Sequence, residues 1–378
     1  MRNILSPVHQ RRSVHLRLAL LLLLMGPALA VDFQVYAPSL ATRTLWIVDA
    51  SAHGEMLQLT LTEKIPLDLP GTTITSHPTL PVLYVAGDAG ADGAFGVMIQ
   101  LKEDGTHAGH SRLPLTHDAC YLSLDRSNRF LLSASYGTGK VSVHPLDASG
   151  VVGSASTTVF EGRTCAHAIG VSPDNHFAYV PYVKEHNALL QYQFDANLGQ
   201  LTPLNPANVQ PPADTGPRHL VFHPTLSTVY FTNEQHLGIS VYDRAADGRL
   251  ALRQVCDVVP PTADKSGVSA SDLLITPDGR FLFAGLRGHT RAFDWIARYR
   301  VNDDGTVALL GLTAADKVPW SLALSPDGRF LLVTAFEGAT LSAYRITPDG
   351  DLTSAGRLAW DKHIMDLVCR TQFVKKAR

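Results

Sequence analysis

The sequence predicts an all-β chain, folded as a seven-bladed β-propeller with four antiparallel strands per blade. Three observations carry that expectation: one short segment recurs along the chain, each copy reads as a β-hairpin, and helical periodicity is absent throughout. The segment is Val171-Ser-Pro-Asp-Asn-His-Phe-Ala-Tyr-Val180, then Ile275-Thr-Pro-Asp-Gly-Arg-Phe-Leu-Phe-Ala284 and Leu324-Ser-Pro-Asp-Gly-Arg-Phe-Leu-Leu-Val333. Looser copies start at Ser76-His-Pro-Thr, Leu124-Asp-Arg-Ser-Asn and Phe222-His-Pro-Thr. With Pro78, Arg126, Pro173, Pro224, Pro277 and Pro326 as equivalent positions, the period is about 50 residues, within the range of propeller blades.

Within each copy an apolar strand enters, proline sets φ for the turn, and Asp with Gly or Asn supplies its hydrogen bond and its positive φ. A second strand rich in β-branched and aromatic residues then leaves. Two outer strands follow in most copies, for example Val141–His144 and Gln191–Phe194, and a turn such as Asp304-Gly305 or Asp349-Gly350 closes the unit. The first two strands of each unit are nearly continuously apolar, as strands buried on both faces must be. Six full copies are visible. Residues Phe33 to Leu61 hold the outer strands of a seventh unit, whose missing inner strand is expected at Ile364 to Cys369. The two chain ends then share one blade, and closing the ring in this way removes the exposed sheet edges of an open array.

The first thirty residues differ from the rest. Arg2, Arg11, Arg12 and Arg17 precede the uncharged run Leu18 to Leu24, which breaks at Gly26-Pro27 and ends in Ala28-Leu29-Ala30. This pattern predicts a signal peptide over residues 1–30, cut after Ala30, and a propeller over residues 31–378 in the periplasm or secreted; the leucine run favours the general route over the twin-arginine one, which the sequence does not separate, and an uncleaved anchor is the alternative. No later stretch is long and apolar enough to be a membrane span. Of the 378 residues 45% are hydrophobic and 17% charged, the net charge is −2, and neither sign clusters in the body of the chain. That balance argues against nucleic acid or an anionic membrane as partner. Cys120, Cys165, Cys256 and Cys369 are widely spaced, show no C-x-x-C pair, and are expected to be buried thiols.

The turn at the proline position lies at one end of the propeller, so residues before the first strand and after the second lie at the other. His167 and Arg218 each precede their turn proline by six positions, in adjacent blades, and Glu234 and Arg287 each follow theirs by ten. Four ionisable residues of complementary type are thus expected on one rim of the central channel. Asp88, Tyr136 and Trp320 share these offsets in other blades and are expected to line the mouth. A lone rim charge is commonly just solvated or ion-paired. The four together at matched offsets are harder to dismiss, because blade geometry does not call for them. His77 and His223 sit beside the turn proline at the other end, and His219, next to Arg218, is expected to point to the opposite face of its strand as a packed, hydrogen-bonded residue.

In Cys165-Ala-His-Ala-Ile-Gly-Val-Ser-Pro-Asp-Asn175, in Gly216-Pro-Arg-His-Leu-Val-Phe-His-Pro224 with Asn233-Glu234, and in Ser271-Asp-Leu-Leu-Ile-Thr-Pro-Asp-Gly279 leading to Arg287, the chain resembles a known family. It is that of the seven-bladed propeller lactonases, which includes bacterial 6-phosphogluconolactonase and the fungal enzyme that lactonises carboxymuconate. The resemblance covers nearly all of the expected mature chain and implies that its proposed active-site residues fall on His167, Arg218, Glu234 and Arg287. At Asp88 and Trp320 the phosphogluconolactonase type looks to carry arginines, which suit a phosphorylated substrate through bidentate pairing. One acidic and one aromatic residue here point instead to a sugar or carboxylated lactone that lacks the phosphate.

For lactone hydrolysis, His167 or Glu234 would activate water while Arg218 and Arg287 bind an anion and stabilise the developing oxyanion. There is no Gly-x-Ser-x-Gly elbow, so a covalent acyl-enzyme is not the expected path. The same groups run in reverse could add a carboxylate across a double bond, a cycloisomerase reaction that the sequence does not separate from hydrolysis. A non-catalytic binding propeller is the rival from another class. No cofactor is expected, and arginines beside the rim carboxylate disfavour a divalent cation.

Overall fold

The computed structural model describes residues 33–87, 94–260 and 262–371. Among them, strands group into seven four-stranded antiparallel sheets, one per blade. Among the described residues the only helical element is a single 3-10 turn at Lys184–His186. Blade 1 is built from Val368–Thr371, Phe33–Ser39, Thr44–His53 and Met56–Pro66, so the two ends of the described chain share it. Blades 2 to 7 follow in chain order, with inner strands Gly71–Ser76, Tyr121–Leu124, Gly170–Val171, Pro217–Phe222, Val268–Ile275 and Pro319–Leu324.

The closing strand lies a few residues beyond the segment expected. Its ladder runs from Tyr36↔Val368 to Phe33↔Thr371, while Ile364 makes only an isolated bridge to Ser39. Asp366 is the reason. Its carboxylate accepts from Leu367 N at 2.9 Å and from Ile74 N of blade 2 at 2.9 Å, which bends the chain out of the ladder between those points.

The recurring segment earns its turn chemically. Ser172, Thr276 and Ser325, just before the proline, donate to Asp174, Asp278 and Asp327 at 2.5, 2.5 and 2.6 Å. The same hydroxyls accept from the N–H groups of Phe177, Phe281 and Phe330 at 3.0, 3.1 and 2.9 Å. In two of the looser copies His77 and His223 replace them and accept through Nδ1 from Leu80 N and Leu226 N at 3.0 and 2.9 Å.

Every residue of the second strands Val82–Gly87, Phe281–Gly288 and Phe330–Ala335 is buried, as their apolar runs require. Each large aliphatic or aromatic side chain so buried contributes about 1.5–3 kcal/mol. Neighbouring blades are then stapled by a repeated contact. Tyr36, Tyr84, Tyr179 and Tyr230 donate their hydroxyls to Gly105, Gly150, Gly248 and Gly305 O, in the outer turn of the next blade, at 2.8, 2.7, 2.6 and 2.9 Å. The glycine is obligatory where, as at Gly248, φ is +83° and a Cβ would lie 2.1 Å from Phe177 Cδ1.

The inner strands of blades 2, 5, 6 and 7 carry a β-bulge at the end opposite the proline turn, with register shifts at Gly71/Thr73, Pro217/Leu220, Ala270/Leu273 and Pro319/Leu322. A bulge interrupts the alternation of side chains. It decides what faces the channel. The four cysteines are free thiols; Cys165 is buried and the others half-buried, so the expected full burial holds for one of them. Burial pushes the Cys120 thiol up to about 12, an unreactive position.

Candidate active site

At the end away from the proline turns a cavity of ≈ 870 Å³ opens on the channel, lined among others by His167, Arg218, Glu234, Arg287, Tyr136 and Trp320. His167 precedes the inner strand of blade 4, and its N–H donates to Pro181 O at 3.0 Å. Arg218 lies on the inner strand of blade 5, and Glu234 directly follows the second strand of that blade, Thr228–Asn233. Two backbone bonds, Glu234 N to Gly216 O at 2.7 Å and Ala270 N to Glu234 O at 3.0 Å, fix the glutamate between blades 5 and 6. Arg287 is the penultimate residue of the second strand of blade 6, Phe281–Gly288.

Both arginines are only 2% exposed. Arg287 Nη2 donates to Glu234 Oε1 at 2.8 Å and to Ala270 O at 2.7 Å, while Arg218 Nε stands 3.9 Å from Glu234 Oε2, an ion pair too long to be a hydrogen bond. Burial, and after it Arg218, pull Arg287 below its ordinary value, with Glu234 acting against them. His167 Nδ1, Arg218 Nε, Glu234 Oε2 and Arg287 Nε are all buried without a hydrogen-bond partner in the protein. Buried polar atoms are nearly always paired, so four orphans on four neighbouring side chains mark a site shaped for an incoming polar group. Burial, Arg218 and His219 push the His167 imidazole well below its usual range, so it is neutral at pH 7.

Trp320 forms a wall over these cations, with Arg287 Cζ 4.4 Å and Arg218 Cζ 6.0 Å from its ring centre. Phe336 lies against Trp320 at 4.7 Å and stacks on His363 at 4.4 Å. Tyr136 packs its ring against His167 at 5.6 Å, and Lys184 Nζ stands 5.1 Å above Tyr136. Asp88 lies outside the described residues. Of the seven residues expected at this rim, the other six line one cavity.

His219 corrects the expectation made for it. It is hydrogen-bonded, but it lines the same cavity as Arg218 instead of facing away, because the bulge between Pro217 and Leu220 breaks the strand's alternation. Its Nδ1 donates to Asp272 Oδ1 at 2.7 Å, and its ring sits edge-on to His167 at 5.2 Å. Lys184 was also missed, since it sits on the 3-10 turn outside the frame of repeat offsets.

Fold and site together define a propeller with an acid–base and guanidinium cluster in its channel. The chain belongs to the family described as "Lactonase, 7-bladed beta-propeller", whose model matches residues 47–362. It is 31% identical over 331 residues to the 6-phosphogluconolactonase of Yersinia pestis, covering 85% of this chain and 93% of that protein. The 6-phosphogluconolactonase of Yersinia enterocolitica is 30% identical over 329 residues, covering 85% and 94%. The solved structure of the periplasmic gluconolactonase of Pseudomonas aeruginosa matches with a TM-score of 0.77 at 20% identity, over 90% of this chain and 99% of that one. At that identity the likeness speaks for the fold alone.

Proposed function

We propose that the protein hydrolyses a lactone in the channel cavity, with Glu234 activating the attacking water and Arg218 and Arg287 binding an anion or the oxyanion that forms. The observation that carries this reading is the set of four orphaned buried atoms on His167, Arg218, Glu234 and Arg287. Glu234 Oε2 is an acceptor without a donor, which suits it to take a proton from water, and the unpaired N–H groups of the arginines supply donors for developing negative charge. Glu234 is preferred to His167 as base because the environment disfavours an imidazolium at position 167. His167 then serves as a neutral wall and hydrogen-bonding group. The family membership and the names of the relatives support lactone chemistry.

The substrate we propose is a sugar lactone without phosphate, or a carboxylated lactone. Trp320 gives the cavity an apolar aromatic wall, and Asp88 stands at the sequence position where the phosphogluconolactonase type looks to carry an arginine. We further propose export, from the pattern of residues 1–30, which lie outside the described residues. Among the described residues no helix is long and apolar enough to cross a membrane. Acid release measured on a panel of δ-gluconolactone, 6-phosphogluconolactone and a carboxylated lactone tests the activity, and no turnover of any of them would overturn it. N-terminal sequencing of the exported fraction tests the location, with Val31 expected first.

A further inference from the structure

We propose that His219 and Asp272 are positioning residues that present an unprotonated imidazole nitrogen to Arg218 and thereby set the orientation of its guanidinium against Glu234. The consequence for turnover rests on the lactonase reading above; the geometry of the pair does not.

The hydrogen-bond inventory of Asp272 fixes the tautomer. Oδ1 accepts from His219 Nδ1 at 2.7 Å and from Leu273 N at 2.8 Å, and Oδ2 accepts from Ser321 Oγ at 2.9 Å and from Leu322 N at 2.9 Å. Four donors saturate a carboxylate, so Asp272 is an ionised acceptor and His219 carries its proton on Nδ1. Burial alone would raise the Asp272 carboxyl, but His219 and the N–H groups of Leu322 and Leu273 hold it below its ordinary value. Nε2 of His219 is then left with a lone pair. It accepts from Arg218 Nη1 at 3.1 Å. Arg218 is thus held on one side by an imidazole that is held in turn by a saturated carboxylate, while its Nε faces Glu234 Oε2.

The same arrangement makes the hold sensitive to acid. A second proton on His219 would sit on Nε2, turning an acceptor into a donor that faces Arg218, and would place two cations in contact. The groups around the ring are Arg218 on its own strand, Asp272 and Arg287 of blade 6, His167 of blade 4 at 5.2 Å and Tyr121 of blade 3 at 5.1 Å. Burial and Arg218 outweigh Asp272 here and keep His219 below its ordinary value, so the holding state is the neutral-pH state. Acidification releases Arg218 and weakens binding of an anionic substrate, which is an effect on KM.

The test uses the full chain. NMR with ¹⁵N-labelled histidine and arginine is expected to show His219 as the Nδ1–H tautomer, and an Arg218 Nε signal that shifts in step with His219 protonation. In Asp272→Asn the amide can donate to Nδ1, so the tautomer inverts. For kinetics, His219→Phe and Asp272→Asn are expected to raise KM for a carboxylated lactone by about tenfold at pH 8, the size of a lost hydrogen bond to a charged group. His219→Gln, whose amide supplies both the donor to Asp272 and the acceptor for Arg218 and does not titrate, should restore most of that loss and abolish the rise in KM on the acid side. A wild-type Nε2–H tautomer, an Arg218 signal indifferent to His219, or an unchanged acid rise in His219→Gln would overturn the proposal. If the wild type turns over no lactone, the functional reading fails by itself and the NMR measurements still decide the pair.

Discussion

Arg287 anchors one oxygen of Glu234, Oε1, at 2.8 Å and leaves the other without a hydrogen-bond partner. A carboxylate held this way cannot rotate freely, and its other oxygen stands 3.9 Å from Arg218 Nε. One anchored oxygen beside one with its lone pairs free suits the general-base role proposed for Glu234. A guanidinium suits the anchoring role better than an ammonium, because its planar fork reaches Glu234 and Ala270 O together.

Glu234→Gln preserves the shape and removes the basic oxygen. With Glu234 as base, kcat is expected to fall by about 10²-fold or more while KM changes little, and the thermal midpoint should stay near that of the wild type. Steady-state kinetics on the best lactone of the panel, alongside thermal unfolding, checks this. A kcat within a few-fold of wild type would move the base to His167.

Asp366 gives a stability prediction with a definite sign. Ser321 Oγ lies 2.9 Å from Asp272 Oδ2 and 3.0 Å from Asp366 Oδ1, yet a hydroxyl has one hydrogen. Given that Ser321 donates to Asp272, the contact with Asp366 requires a proton on Asp366 itself. Burial pushes its carboxyl up to about 7. Between the ordinary carboxylate value and about 7, the folded chain therefore holds a proton that the unfolded chain has released, so stability falls as pH rises through that window and is flat above it. The effect is on the order of a few kcal/mol at most. Urea unfolding at pH 5 and pH 8 should show this loss in the wild type and a smaller one in Asp366→Asn.

The blade staples predict two graded losses. Tyr179→Phe removes the hydroxyl bond to Gly248 O and should cost about 1 kcal/mol. Gly248→Ala combines φ +83° with a Cβ placed 2.1 Å from Phe177 Cδ1, and should cost about 2 kcal/mol or more. Urea midpoints at constant m-value measure both, and the order of the two losses is the informative part.

The architecture was legible because the Pro-Asp-Gly turn is a local device: its hydroxyl, carboxylate and N–H bonds are made within one segment, so every copy announces a blade. The meeting of His167, Arg218, Glu234 and Arg287 was legible for a related reason, since offset from the turn converts directly into height along the channel. What failed was strict alternation. The bulge at Pro217/Leu220 is a backbone event with no residue signature of its own, so His219 read as facing away. Asp272 stood in a quoted motif, but its partners His219, Ser321 and Leu322 belong to the blades on either side, which spacing within one repeat does not reveal. The closing strand starts only at Val368, later than the expected Ile364, because Asp366 diverts the chain toward blade 2.

The last prediction concerns substrate charge. Arg218 and Arg287 are buried beneath Trp320, and both are already engaged with Glu234, so together the three carry a net positive charge suited to one carboxylate or one oxyanion. A phosphate brings nearly a second negative charge and calls for a further bidentate partner, and at the two sequence positions where the phosphogluconolactonase type looks to carry arginines this chain has Asp88 and Trp320. Lys184 offers a point charge near Tyr136 but no fork. An unphosphorylated or carboxylated lactone is therefore expected to exceed 6-phosphogluconolactone by about tenfold in kcat/KM. Asp88→Arg should narrow that gap by improving the phosphorylated substrate alone, whereas Arg287→Ala should depress every anionic lactone by removing both the clamp and the anchor of Glu234. Competition kinetics with paired substrates reads the ratio directly. A wild-type preference for the phosphorylated lactone, unmoved by Asp88→Arg, would return the substrate to the one named for the Yersinia relatives.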